Sequence, residues 1–207
     1  MTASSPEPEK TDPSSRDEVT ARLLDAAESL FVAQGVNGVS MEAVAKAARA
    51  SKRTLYARFP SKADLVGAVA ARLYEGLRTR LSELPDDLDL TAFLEGFASG
   101  VLDALSEEKM KGFLRLVISE AVVQPEFARA VLEAGKLPAT QVLVTRLEAE
   151  KARGVLSPDM DSALAARQFM GLVKEPVFWP VMLGAEPLPQ AAVIDNAITL
   201  FVKAYAR

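Results

Sequence analysis

Between Gly38 and Pro60 the chain has room for two short helices and a two-residue break. Gly35 and Gly38 end the preceding helical pattern near Gln34. Ser40 then offers an N-cap, with Glu42 in the first turn at the positive helix end. Met41, Val44, Ala45 and Ala48 supply a short apolar face. After Arg49-Ala50, Ser51 can cap the next helix, in which Leu55 and Phe59 lie four apart on an inward face. Lys52, Arg53 and Tyr56 share a different, outward face. Pro60 closes the segment, because the residue before proline is pushed out of the helical region. The flanks are helical too. From Arg16 onward Leu23, Ala27, Leu30 and Phe31 recur at three- and four-residue steps. Ser61-Lys62-Ala63-Asp64 matches a capping box, opening a helix with Leu65, Val69, Leu73 and Leu77 that should run to about Leu81.

Beyond Pro85 every long segment also reads as helix: 91–105, 108–123, 125–154, 159–183 and 189–206, with breaks at Gly154, Ser157-Pro158 and Gly184 to Pro189. Pro176 and Pro180 should kink the helix that holds them. No alternating strand pattern and no short repeat is present, so the expected fold class is all-α. Residues 1–15 are rich in Ser, Pro and Glu without periodicity and read as a disordered tail.

Composition narrows the chemistry. The chain has no cysteine, which removes disulfides, thiolate metal sites and thiol redox sensing together. It has no histidine, the commonest metal ligand and general base near neutral pH. No metal site and no cofactor is expected. The longest apolar run, near Val177 to Ala185, is far short of the ~20 residues that span a bilayer, so no membrane partner is expected. With no basic start and no apolar stretch at the beginning, the expected compartment is the cytoplasm.

Net charge is −4, but it is unevenly spread. Through Lys62 there are 9 basic and 8 acidic residues; after it, 15 and 20. Lys46 to Lys62 holds six basic residues and no acidic one. A local block of one sign is what phosphate binding needs. Two short helices on a tight turn, the second presenting basic residues outward, form a helix-turn-helix. Such a helix fits the major groove, where Lys and Arg donate to guanine O6 and N7.

The stretch Leu23-Leu24-Asp25-Ala26-Ala27, Leu30-Phe31, Gly35, Ser40-Met41 and Val44-Ala45 resembles the N-terminal module of the TetR family of repressors. So does Ser51-Lys52-Arg53-Thr54-Leu55-Tyr56-Ala57-Arg58-Phe59 with Ser61-Lys62 after it. The resemblance covers roughly residues 16–66. It implies a helix-turn-helix DNA-binding domain over 16–62, with a larger helical regulatory and dimerisation domain over 63–207. By position it places Thr54 and Tyr56 at DNA, Tyr56 and Lys62 on phosphates, and Lys52 and Arg53 at the exposed start of the recognition helix as base readers. Arg58 is expected close to the backbone and Ser40 near a phosphate. One departure concerns the turn, where the family usually has glycine and a larger apolar residue and this chain has Arg49 and Ala50. A left-handed Arg49 would cost roughly 1 kcal/mol relative to glycine and could add a phosphate contact.

For the second domain the resemblance is one of layout. It implies a homodimer through the last two long helices, which suits segments such as 169–183 and 191–205 that are apolar on more than one face. A two-fold symmetric dimer matches a palindromic double-stranded operator with half-sites about 34–36 Å apart. It also implies a small-molecule effector, for which Phe93, Phe97, Val101, Phe113, Leu116, Val117, Met170, Val173, Phe178 and Trp179 are candidate lining residues, although apolar stripes at helical spacing ordinarily pack cores. Glu120 and Glu175, within apolar stretches, could meet a cationic ligand. The function expected is a ligand-responsive transcriptional regulator that represses by binding a palindromic operator. Two other classes fit less of the pattern: a helix-turn-helix acting through protein contacts or nonspecific DNA binding, and a helical enzyme, for which no acid pair, nucleophile motif or phosphate-cradling loop is present.

Overall fold

The computed structural model describes residues 13–207. The tail expected over 1–15 falls outside them except for its last three residues, which already belong to a helix. Eleven α-helices follow one another, and the described residues contain no strand, only an isolated bridge between Leu156 and Ala206. The chain divides between Leu65 and Val66 into two compact units.

The first unit holds α1 (Pro13–Gly38), α2 (Met41–Ala47), α3 (Lys52–Arg58) and the start of α4 (Lys62–Ser82). Helix α1 leaves helical geometry at Gly35 (φ 76°), one residue after its expected end, and a last turn carries it to Gly38. Leu23, Ala27, Phe31, Val44, Leu55 and Phe59 are buried together with Val36 and Val39 as this unit's apolar interior. Each short helix starts on its expected cap. Ser40 Oγ accepts from the Ala43 N–H at 3.1 Å, and Ser51 Oγ from the Thr54 N–H at 3.0 Å. The Ser61 and Asp64 side chains accept reciprocally from each other's backbone N–H, at 2.8 and 3.1 Å, and start α4.

The second unit holds the rest of α4, then α5 (Leu90–Ser106), α6 (Glu108–Glu120), α7 (Pro125–Val131), α8 (Leu137–Ala152), α9 (Ser162–Lys174), α10 (Phe178–Met182) and α11 (Gln190–Tyr205). Its core runs from Tyr74 and Leu77 on α4 through Phe97, Leu94 and Leu102 on α5 to Phe169 and Phe201 on α9 and α11. Helix α6 stops three residues short of the expected Val123.

Two expected single helices differ in ways their prolines explain. The segment 125–154 carries a π turn, Leu132–Lys136, between α7 and α8. Pro138 has no N–H to give the Ala134 carbonyl, and the wider register is marked by Leu137 N–H bonding Leu132 O, five residues back. The segment 159–183 is two helices. Pro176 interrupts the ladder after Lys174, and α10 restarts at Phe178. Asp161, whose carboxylate accepts from the Ala163 and Leu164 N–H groups, sets the start of α9 at Ser162 instead of Asp159.

Candidate nucleic-acid interface and ligand cavity

The turn between α2 and α3 is closed by a pair of backbone bonds. Ala50 N–H reaches Ala45 O at 2.9 Å and Arg49 N–H reaches Lys46 O at 3.2 Å, the paired pattern that ends a helix on a left-handed residue. Arg49 is that residue, with φ 52° and an exposed side chain. Helix α1 supports the turn from behind, since Arg22 Nε donates to Ala48 O at 3.3 Å.

Helix α3 is held by Leu55, fully buried, which leaves Lys52, Arg53 and Tyr56 exposed. Arg53 makes no ion pair or side-chain hydrogen bond among the described residues, and Tyr56 is 43% exposed. Lys52 pairs with Glu42 on α2 at 3.2 Å. Backbone hydrogen bonding at the start of α2, and then Lys52, hold the Glu42 carboxyl below the usual carboxylate range. Both partners are largely exposed, so the pair is weak and a phosphate or base edge can compete for Lys52.

Three of the expected contact residues have internal tasks. Thr54 is half-buried and its hydroxyl lies 2.8 Å from Ser51 Oγ. Arg58 Nε donates to Thr20 Oγ1 at 2.9 Å and ties α3 to α1. Lys62 Nζ donates to Val36 O at 2.9 Å, at the C-terminal end of α1 where carbonyls lack helical donors. Ser40 is exposed at its cap. Sequence reasoning missed the supporting side chains Arg22 and Thr20, whose partners are 26 and 38 residues away and leave no local pattern.

In the second unit a cavity of about 290 Å³ lies among α4 to α10. Of the expected lining residues it brings together Phe97, Val101, Val117, Met170, Phe178 and Trp179. Phe93, Phe113, Leu116, Glu120 and Val173 do not line it. Phe93 lies a turn before Phe97 with the Arg146 guanidinium 4.8 Å from its ring centroid, and Arg146 also bonds the buried Glu150 at 2.8 Å. On α6 the cavity takes the face Met110, Leu114, Val117 and Ile118, with Ala121 just past the helix end, whereas Phe113, Leu116 and Glu120 lie round the helix from it. Phe113 and Val173 are core side chains.

Residues not anticipated complete the lining, among them Tyr74 and Leu77 of α4, Lys136 of the π turn, Thr140 of α8 and Lys174 of α9. Burial pushes the Tyr74 hydroxyl up to about 12. Burial, and then the charge on Lys136, bring the Lys174 ammonium down to about 8. Arg115 of α6 fixes α10 at the rim, donating to Met182 O at 3.1 Å and Val181 O at 2.7 Å.

An all-helical chain with a capped helix-turn-helix in one unit and a lined cavity in another is a one-component DNA-binding regulator in architecture. Residues 23–69 match the profile of bacterial regulatory proteins, tetR family, and residues 92–207 match that of the AefR-like transcriptional repressor, C-terminal domain. The chain belongs to the TetR family of transcriptional regulators, which are not enzymes. The transcriptional activator FasR of Mycolicibacterium smegmatis is 32% identical over 162 residues, 72% of each chain. The transcriptional regulator UidR of Escherichia coli is 26% identical over 152 residues, 73% of this chain and 76% of its own. Among solved structures, the flavonoid-responsive regulator FrrA superposes with a TM-score of 0.79 at 32% identity, covering 92% of this chain and 98% of its own. Among the described residues no helix is long and apolar enough to cross a membrane.

Proposed function

We propose that this regulator is a repressor that binds a palindromic operator as a homodimer and releases it when a small molecule enters the cavity of the second unit. The observation that carries the reading is a single helix. Helix α4 is tied at its first turn to the end of α1 by Lys62, and twelve and fifteen residues later its Tyr74 and Leu77 form cavity wall. A ligand that displaces these two side chains acts on the same helix whose first turn follows the reading helix in the chain. A ligand preferring the conformation with badly spaced reading heads lowers operator affinity, and operator lowers ligand affinity by the same factor.

In this reading Lys52 and Arg53 read base edges, while Tyr56, Ser40, Arg49, Arg58 and Lys62 position the backbone. The solved relative that is named for its response to flavonoids supports effector control in proteins of this build. Dimerisation is supported by apolar side chains left in the open on the last long helices: Leu164 and Leu172 on α9, Leu200 on α11.

The test is selection of bound fragments from genomic DNA by the purified protein. A two-fold repeated site bound by two chains is expected. Binding with no sequence preference, whose salt response alone accounts for the affinity, would overturn it in favour of nonspecific DNA packaging.

A further inference from the structure

The cavity lining is apolar but for Tyr74, Lys136, Thr140 and Lys174, and the charged groups among these are of one sign. Among the lining residues the titratable ones are Tyr74, Lys136 and Lys174, and none is a carboxylate. Lys136, exposed, comes from the π turn and Lys174, part-buried, from the last residue of α9, so two separate elements bring lysines to the cavity. Neither lysine has an ion pair or a side-chain hydrogen bond among the described residues; the nearest ring to Lys174 is Phe178, 6.0 Å from Nζ to centroid.

Two cations near one another at an apolar wall without a counter-ion are mutually unfavourable, and burial leaves Lys174 poorly solvated as well. A protein core ordinarily avoids this arrangement or pairs it. An occupant that carried a negative group would relieve both costs at once, and its apolar part would meet Phe97, Val101, Met110 and Met170.

We propose that the effector is an apolar molecule ending in a single anionic group, a carboxylate above all, held between Lys136 and Lys174. The inference rests on the cavity being the effector site. It reverses the polarity anticipated from Glu120 and Glu175, neither of which lines the cavity. Proton linkage follows. A bound carboxylate favours charged Lys174 and raises its pKa above the free value near 8. Affinity is therefore complete below about pH 8 and declines as pH rises from there through the raised value. Tyr74, held up near 12, stays neutral over this range, and Lys136 is the other charge on the wall.

The experiment uses three probes of one chain length, octanoate, octanamide and octylammonium, titrated calorimetrically into the full-length protein at pH 7. Trp179, the sole tryptophan, lines the cavity and reports occupancy by its emission. Octanoate is expected to bind at least about tenfold tighter than octanamide, the margin by which charge-assisted hydrogen bonds exceed neutral ones. Octylammonium should bind weakest. Between pH 8 and 9.5 octanoate should weaken and octanamide should not. The double variant Lys136→Met/Lys174→Met should lose the preference and keep octanamide.

Equal affinities, a preference for octylammonium, or a preference that survives the double substitution would overturn the anion assignment while the Trp179 response kept the cavity as a binding site. If none of the three probes altered Trp179 emission, the cavity reading itself would fall with it. The comparison among probes on the unmodified protein decides the matter even if the double variant does not fold.

Discussion

Arg49 occupies a left-handed position, φ 52°, where a side chain bearing Cβ is crowded and glycine is not. Its side chain is exposed, so no packing is lost on removing it. Arg49→Gly is therefore expected to stabilise the protein by about 1 kcal/mol, a rise in Tm of roughly 2–4 °C by calorimetry. Operator affinity should fall in the same variant, because one cation leaves the turn beside the recognition helix. A lower Tm would mean that the guanidinium stabilises the fold. Lys62 and Arg58 are proposed to serve twice. Each spends donors on α1, one on Val36 O and one on Thr20, besides the phosphate contact proposed for it. Their removal should cost stability as well as binding, whereas removal of exposed Arg53 should cost binding alone.

The π turn is the element that most distinguishes the cavity. Gly135 sits within it against the Tyr74 ring, and a Cβ there would lie 2.6 Å from Tyr74 Cδ2. Gly135→Ala must push that buried ring aside, and a loss of about 1–3 kcal/mol is expected, with Tm falling by several degrees. An unchanged Tm would show that Tyr74 yields without cost. The elements of the first unit were readable in the sequence because their signals are local: Ser40, Ser51, the Ser61–Asp64 box and Pro60 each act within four residues of themselves. The π turn was not, since Pro138 is its one local mark inside a segment with otherwise ordinary helical spacing. The cavity was half legible. Aromatic and aliphatic side chains on the apolar faces of α5, α9 and α10 were found, but which turn of each helix reaches the cavity depends on how the helices stack. Lys136 and Lys174 carry no local signal of a cavity, because a lysine in a helical pattern ordinarily marks the solvated face.

At the scale of the whole molecule, the proposed function requires two copies. Leu200, 48% exposed on α11, and Leu172, 37% exposed on α9, stand on the pair of helices expected to meet their counterparts. Leu200→Glu would bring two carboxylates to a two-fold seam, and sedimentation should show it as monomer at concentrations where the unmodified protein is dimeric. A variant that stayed dimeric would place the interface elsewhere. Operator binding should weaken with dissociation, since each half-site is then held singly. The claim on which the rest depends is that the exposed face of α3 reads base edges in a major groove. It is tested most directly by measuring the affinity of the unmodified protein and of Arg53→Ala for the selected operator and each of its single-base variants. The account predicts that Arg53→Ala loses about 1–3 kcal/mol of discrimination at one base pair per half-site and keeps it elsewhere, while Lys62→Ala weakens every sequence alike. Identical base-preference profiles for the Arg53 variant and the unmodified protein would contradict it.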